Sequence, residues 1–117
     1  MVSRERSILV VEDDASLRLL CRVNLELEGF RVREAASLAD AARAVGEERP
    51  LGVFLDVNLR GERCDALLDD LLARGIPVVL VTGAADVERY RALGTEVLPK
   101  PWAPEALVAA AGRLAVG

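Results

Sequence analysis

The chain contains no histidine, and its one lysine, Lys100, stands among fourteen arginines. With imidazole missing, and with Cys21 and Cys64 isolated from each other and in no CxxC pair, the usual zinc frameworks are excluded. The two cysteines read as free thiols packed among apolar neighbours, which fits a reducing compartment. Aromatic residues make up only 3% of the chain, so a core has to be filled by Val, Leu, Ile and Ala, and the 52% hydrophobic content supplies them. No run approaches the ~20 apolar residues of a membrane-spanning helix. The opening MVSRERSILVV has an apolar run too short for a signal peptide, and it leads straight into Glu12, Asp13 and Asp14. A net charge of −4 argues against the concentrated basic stripe of a nucleic-acid surface. The expectation is a cytoplasmic protein with no nucleic-acid or membrane partner.

At 117 residues the chain suits one domain with one core, residues 1–117, with no linker. Short apolar runs alternate with helical patterns: ILVV (8–11), a weaker VREA (32–35), GVFL (52–55), PVVLV (77–81) and EVL (96–98). The first, third and fourth are almost continuous in Val, Ile and Leu, as parallel strands covered on both faces require. Asp14 is a candidate cap for a helix carrying Leu17, Leu20, Cys21 and Leu25 and stopping at Gly29. Ser37 with Asp40 resembles a capping box ahead of Ala41, Ala42 and Val45. Leu67, Leu68, Leu71 and Leu72 form a stripe ending at Gly75, residues 86–93 allow barely two turns, and Pro104-Glu105 opens a helix bearing Leu107, Val108, Ala111 and Leu114. Five strand-then-helix units with right-handed crossovers predict a doubly wound, five-stranded parallel α/β sheet with helices on both faces.

In such a sheet, ligands bind beyond the carboxyl ends of the strands. The first run delivers Glu12 and Asp13 there, the third Asp56, the fourth Thr82 and the fifth Lys100. Three carboxylates gathered in a cleft repel one another and call for a proton or a cation. Oxygen ligands without imidazole or thiolate suit a hard ion, Mg²⁺ ahead of Ca²⁺. Taken singly, each feature has an ordinary reading: an acidic capping turn at 12–14, a turn at Thr82-Gly83, a solvated lysine. Their coincidence at strand ends is what points to a site.

ILVVEDD (8–14), LDVNLRG (55–61), PVVLVTGA (77–84) and LPKPW (98–102) together resemble, in order, the receiver domain of two-component response regulators. The resemblance spans about Ile8 to Leu114 and implies the flavodoxin-like strand order 2-1-3-4-5. It implies that Asp56 accepts a phosphoryl group from a histidine kinase or a histidine phosphotransfer protein. By the same resemblance Asp13 is a direct Mg²⁺ ligand, Glu12 acts through a metal-bound water, and Asn58 offers its backbone carbonyl. Thr82 and Lys100 contact phosphoryl oxygens, Lys100 pairs with Asp56 beforehand, and the peptide into Pro101 is cis. Such proteins catalyse their own phosphorylation and dephosphorylation without being conventional enzymes; they act on an output protein, by phosphotransfer, or as a homodimer.

Several positions depart from the family pattern. Arg60 stands where proline is usual, and the intervals from Asp56 to Thr82 and from Thr82 to Lys100 are short, as in a compact subclass with a reduced fourth helix. Ala84 replaces an aromatic common in that subclass, Val97 replaces the usual switch aromatic, and Trp102 stands where Phe is common, its ordinary reading being a hydrophobic plug. With no ring at Val97, output is expected through residues 85–96, while Arg60 and Arg63 are either solvated or recruit an acidic partner face. Two other classes compete. A degenerate receiver serving only as an interaction module would lack some of Glu12, Asp13, Asp56, Thr82 and Lys100, and a flavodoxin-like cofactor binder would need a glycine- or hydroxyl-rich loop where this chain has Glu12 and Asp13. A hydrolase reading finds metal and nucleophile candidates but no separate general base.

Overall fold

A computed structural model describes residues 7–83, 87–93 and 95–116, with side chains as far as 115. The five apolar runs become the strands of one parallel sheet: β1 (Ile8–Val11), β2 (Val32–Ala35), β3 (Gly52–Asp56), and, after a two-stranded hairpin β4 (Asn58–Leu59) and β5 (Glu62–Arg63), β6 (Val78–Thr82) and β7 (Glu96–Pro99). The order across the sheet is β2-β1-β3-β6-β7, the expected 2-1-3-4-5 once the hairpin is set aside. Helices α1 (Ala15–Leu27), α2 (Leu38–Glu47), α3 (Asp65–Ala73), α4 (Val87–Arg91) and α5 (Pro104–Val116) complete the fold.

The near-continuous apolar strands split by their two-residue period into two cores. Leu9, Val11, Val53, Leu55, Val78 and Leu80 join side chains of α2, α3 and α4 on one face. Ile8, Val10, Phe54, Val79 and Val81 meet Cys21, Leu25, Leu107, Ala111 and Leu114 of α1 and α5 on the other. β2, at the sheet edge, keeps only Val32 and Ala35 buried, which accounts for its weaker pattern.

Helix ends follow local chemistry. Asp14 caps α1, its carboxylate accepting from the N–H groups of Ser16 and Leu17 at 2.9 and 3.1 Å. Ser37 accepts from Asp40 N–H at 3.1 Å, but the Asp40 carboxylate takes Arg43 as a partner. Gly29 and Gly75 end α1 and α3 at positive φ, as expected. The helix stripes are narrower than the sequence implies: Leu20 and Leu72 are 45% exposed and Ala42 lies on the surface, each on the flank beside the i, i+4 row that meets the sheet. The fourth helix, expected over 86–93, is five residues long where described, and it is held by its buried Val87 and Tyr90. Cys21 and Cys64 are free and buried, burial pushing their thiols up to about 12 and about 11, so neither is a thiolate at neutral pH.

Fully buried Leu107 fastens α5 to the sheet, whereas Leu27 on α1 is 78% exposed. Leu107→Ala is expected to cost about 2–5 kcal/mol and Leu27→Ala less than about 0.5 kcal/mol in urea unfolding. Equal costs would contradict the assignment of the α1/α5 layer as the core of that face.

Candidate functional site

Chain direction places the carboxyl ends of β1, β3, β6 and β7 along one edge, and strand order reverses between β1 and β3. Glu12 leaves β1, Asp56 ends β3, Thr82 ends β6, and Lys100 follows β7. Parallel register sets their heights: Val11 lies opposite Leu55, Asp56 opposite Val81, and Thr82 opposite Pro99. Glu12, Asp56 and Thr82 are each about 5% exposed or less, and Asp13 is half-buried at the rim.

One oxygen from each of Glu12, Asp13 and Asp56 lies within 4.8 Å of the others. Lys100 Nζ donates to Asp56 Oδ2 at 3.0 Å and lies 3.3 Å from Glu12 Oε1. The pairing of Lys100 with Asp56 implied by the resemblance is therefore present, and Lys100–Pro101 is the one cis peptide among the described residues. One ammonium faces three carboxyl groups, and burial and hydrogen bonding set Glu12 and Asp13 apart in proton affinity. Burial, reinforced by the Asp56 charge, pushes Glu12 up to about 7 against the pull of the Asp14 N–H and Lys100. Burial alone would also raise Asp13, but the Arg60 N–H and a contact with Glu12 hold it below its ordinary value. For Lys100 desolvation pulls downward, and the hydrogen bond to Asp56 together with the Asp56 and Glu12 charges outweighs it, so the amine is held above its usual range.

Several groups around this cluster escaped the sequence reading. Asp14 N–H donates to Glu12 Oε2 at 3.1 Å, and Arg18 Nη1 donates to the Glu12 carbonyl at 2.8 Å while its Nε holds Glu34. Asn58 N–H donates to Asp56 Oδ1 at 3.1 Å, and Arg60 N–H to Asp13 Oδ2 at 3.0 Å. Arg60 has φ +51° and Gly61 φ +81°, the sign pattern of a type I′ hairpin turn. Proline, with φ fixed near −65° and no N–H, cannot adopt this turn, and that is the physical content of the departure at Arg60. The available signal was the Arg60-Gly61 pair between residues able to pair as short strands, a weaker cue than Asn-Gly.

No hydrogen bond among the described residues joins the side chains of Thr82, Val97 or Trp102 to the cluster's carboxylates. Thr82 accepts the Lys100 N–H on its carbonyl at 2.8 Å. Trp102 is half-buried against the α1/α5 core and, with Leu17, Leu20, Lys100 and Pro101, lines an apolar groove of about 370 Å³. Val97 packs on the opposite core, the one that includes fully buried Tyr90. The Tyr90 hydroxyl donates to Asp65 Oδ1 at 2.8 Å and accepts from Arg63 Nη2 at 2.9 Å, so Arg63 is engaged within the molecule. Ala84 lies outside the described residues, as do 85, 86 and 94 of the expected output segment.

Residues 8–112 match the response regulator receiver domain family. The chain is 36% identical over 112 residues to the phosphate regulon transcriptional regulatory protein PhoB of Escherichia coli, covering 89% of this chain and 49% of that protein. It is 33% identical over 118 residues to the transcriptional regulatory protein GltR of Pseudomonas aeruginosa, covering 93% and 48%. It thus spans about half the length of these curated relatives. The crystal structure of the receiver domain of NtrX from Brucella abortus superposes with a TM-score of 0.85 at 30% identity, covering 94% of this chain and 98% of that one. The protein belongs to the response regulator receiver domain family. No helix among the described residues is long and apolar enough to cross a membrane.

The raised Glu12 gives a pH signature. The folded state holds a proton that the unfolded chain releases near 4.5, so this contribution is full below 4.5 and is lost as pH rises to about 7. Asp13, Glu34, Glu48 and Asp65 are lowered, so their contributions change below the ordinary carboxylate range, and the chain has no histidine. Without divalent cations, Tm is expected to fall from pH 5 to 7 in the wild type and to stay flat in Glu12→Gln. A wild-type Tm that rises over this interval excludes a protonated Glu12.

Proposed function

We propose that the chain accepts a phosphoryl group on Asp56 from a phosphohistidine of a histidine kinase or histidine phosphotransfer protein. The observation that carries this reading is the constellation at the sheet edge: a nearly buried Asp56 bonded to Lys100 and set against Glu12 and Asp13. The cluster fits Mg²⁺, because its donors are hard oxygens from separate elements, three carboxyl groups set against one ammonium. Asp13 and Asp56 would ligate it directly, Glu12 through water, and Asn58 through its carbonyl; when bound, the ion neutralises phosphoryl oxygens as charge develops on them.

The chain's own groups do the rest. Asn58 N–H fixes the plane of the Asp56 carboxylate through Oδ1. As the P–N bond to the donor imidazole breaks and a P–O bond to Asp56 forms, the carboxylate loses its charge, and Lys100 transfers its positive end from Oδ2 to a phosphoryl oxygen. A lysine serves there because a compact ammonium can follow the moving charge, which a planar guanidinium fork cannot do as readily. Thr82, at the end of β6, donates its hydroxyl to another oxygen. Hydrolysis of the acyl phosphate resets the site. The signal then leaves by protein contact or by onward phosphotransfer.

The route outward is inferred to run through α4. Val97 offers no ring on β7, and the one fully buried ring on that face among the described residues is Tyr90 of α4, tied to Asp65 and Arg63. Amide shifts recorded with an acyl-phosphate mimic are expected to move at Tyr90 and its helix as well as at Asp56. Changes confined to the sheet edge would sink this route.

The phosphoacceptor assignment is tested by intact mass after treatment with a small acyl phosphate. Wild type should gain one base-labile phosphoryl group with Mg²⁺ and little without it, and Asp56→Asn none. Thr82→Ala and Lys100→Met should slow labelling about 10²-fold or more, as for loss of a preorganised donor. A wild-type chain that gains no label would leave a phosphorylation-independent interaction module as the better reading.

A further inference from the structure

The hairpin between β3 and α3 presents its amides to the acidic cluster in a regular way. Its base is closed by Cys64 N–H donating to the Val57 carbonyl at 3.1 Å, while Val57 N–H joins Val81 of β6 at 3.0 Å. Val57 and Leu59 are each 1% exposed and embedded in the α2/α3 core, so the first arm of the hairpin is rigidly seated. On a strand, N–H groups two residues apart point the same way. Leu59 pairs with Glu62 across the two-residue turn, which leaves the amides of Asn58 and Arg60 facing away from the hairpin. Those are the two amides that reach carboxylates: Asn58 to Asp56, and Arg60 to Asp13 across 47 positions of sequence.

We propose that the backbone N–H of Arg60, delivered by the left-handed Arg60-Gly61 turn, is a positioning group for the Asp13 carboxylate in the phosphoryl-transfer site. This rests on the reading of Asp13 as a Mg²⁺ ligand. A carboxylate at the rim, half-exposed and on a loop, is free to rotate; a donor on one oxygen fixes its plane and leaves other lone pairs turned toward Glu12 and Asp56. The side chain of Arg60 takes no part, so the position is specified by its φ and its N–H. A non-glycine residue rarely adopts this left-handed conformation. The Asn58 and Arg60 amides thereby couple the two carboxylates that must share the ion: whatever displaces the hairpin displaces both.

The discriminating pair of variants is Arg60→Gly, which keeps the N–H and the turn, and Arg60→Pro, which abolishes both. Mg²⁺ binding by calorimetry on the full chain is expected to be unchanged within about twofold for Arg60→Gly, and about 10- to 100-fold weaker for Arg60→Pro, the usual cost of losing a partner that orients a metal ligand. Thermal melts of both variants check that the fold is retained. In the wild type, a scalar coupling across the hydrogen bond should connect the Arg60 amide nitrogen to the Asp13 carboxyl carbon in both metal-free and Mg²⁺-loaded protein. A folded Arg60→Pro with wild-type affinity, an Arg60→Gly that loses as much as Arg60→Pro, or absence of the coupling from the Mg²⁺-loaded protein each overturns the proposal. If Arg60→Pro does not fold, the coupling decides. If wild type itself binds no Mg²⁺, the metal reading falls, and the coupling in the metal-free protein alone decides whether the Arg60 amide holds Asp13.

Discussion

Everything at the sheet edge answers to the mutual repulsion of Glu12, Asp13 and Asp56. Three carboxylates with oxygens inside 4.8 Å are a state that a small protein can hold only by fixing each one from outside the cluster. Asp14 and Arg18 hold Glu12, one on its side chain and one on its carbonyl. Asn58 and Lys100 hold Asp56 from its two oxygens, and Arg60 holds Asp13. Most of these donors are backbone amides, which cannot swing away and carry no side-chain entropy to lose. Burial, with the Asp56 charge behind it, leaves Glu12 with a raised proton affinity.

The sheet supplies the foundation for that arrangement. Because both faces of β1, β3 and β6 are covered, their interiors are apolar without exception, and polarity can appear only where a strand emerges. Function is therefore compressed into the last residue of a strand or the first after it. The two cores do different jobs: in one, α1 and α5 back the sheet, with Leu107 in the same cluster as Phe54 of β3, and the other carries the hairpin, Tyr90 and Val97.

The same compression explains what could be read from sequence. Runs such as ILVV and PVVLV fix their strands because burial on two faces leaves one solution, and Glu12, Asp13, Asp56, Thr82 and Lys100 stand out because each interrupts apolar sequence at a strand end. What escaped is what depends on backbone direction or on side-chain partners far along the chain. The Arg60 amide reaches Asp13 through a turn whose defining property is the sign of two φ angles, and residue type hints at that only through Gly61. Arg18, Arg63 and Asp65 look like ordinary surface charges until the fold brings Glu12 and Tyr90 against them. Leu20 illustrates the opposite error: periodicity admits it to the buried stripe, yet it ends on the flank of α1 beside Trp102.

The arginine bias of the surface has a chemical corollary at the center of the site. Guanidinium groups answer the acidic side chains elsewhere in the described structure, among them Glu34, Glu48 and Asp65, and the chain's only side-chain amine is Lys100 Nζ. Any acylation of a lysine in this chain, enzymatic or by a metabolite thioester, is then acylation of the ammonium set against the Asp56 and Glu12 carboxylates. These 117 residues hold no other lysine to absorb such chemistry, so amine modification of their side chains and removal of the site's positive charge are a single event.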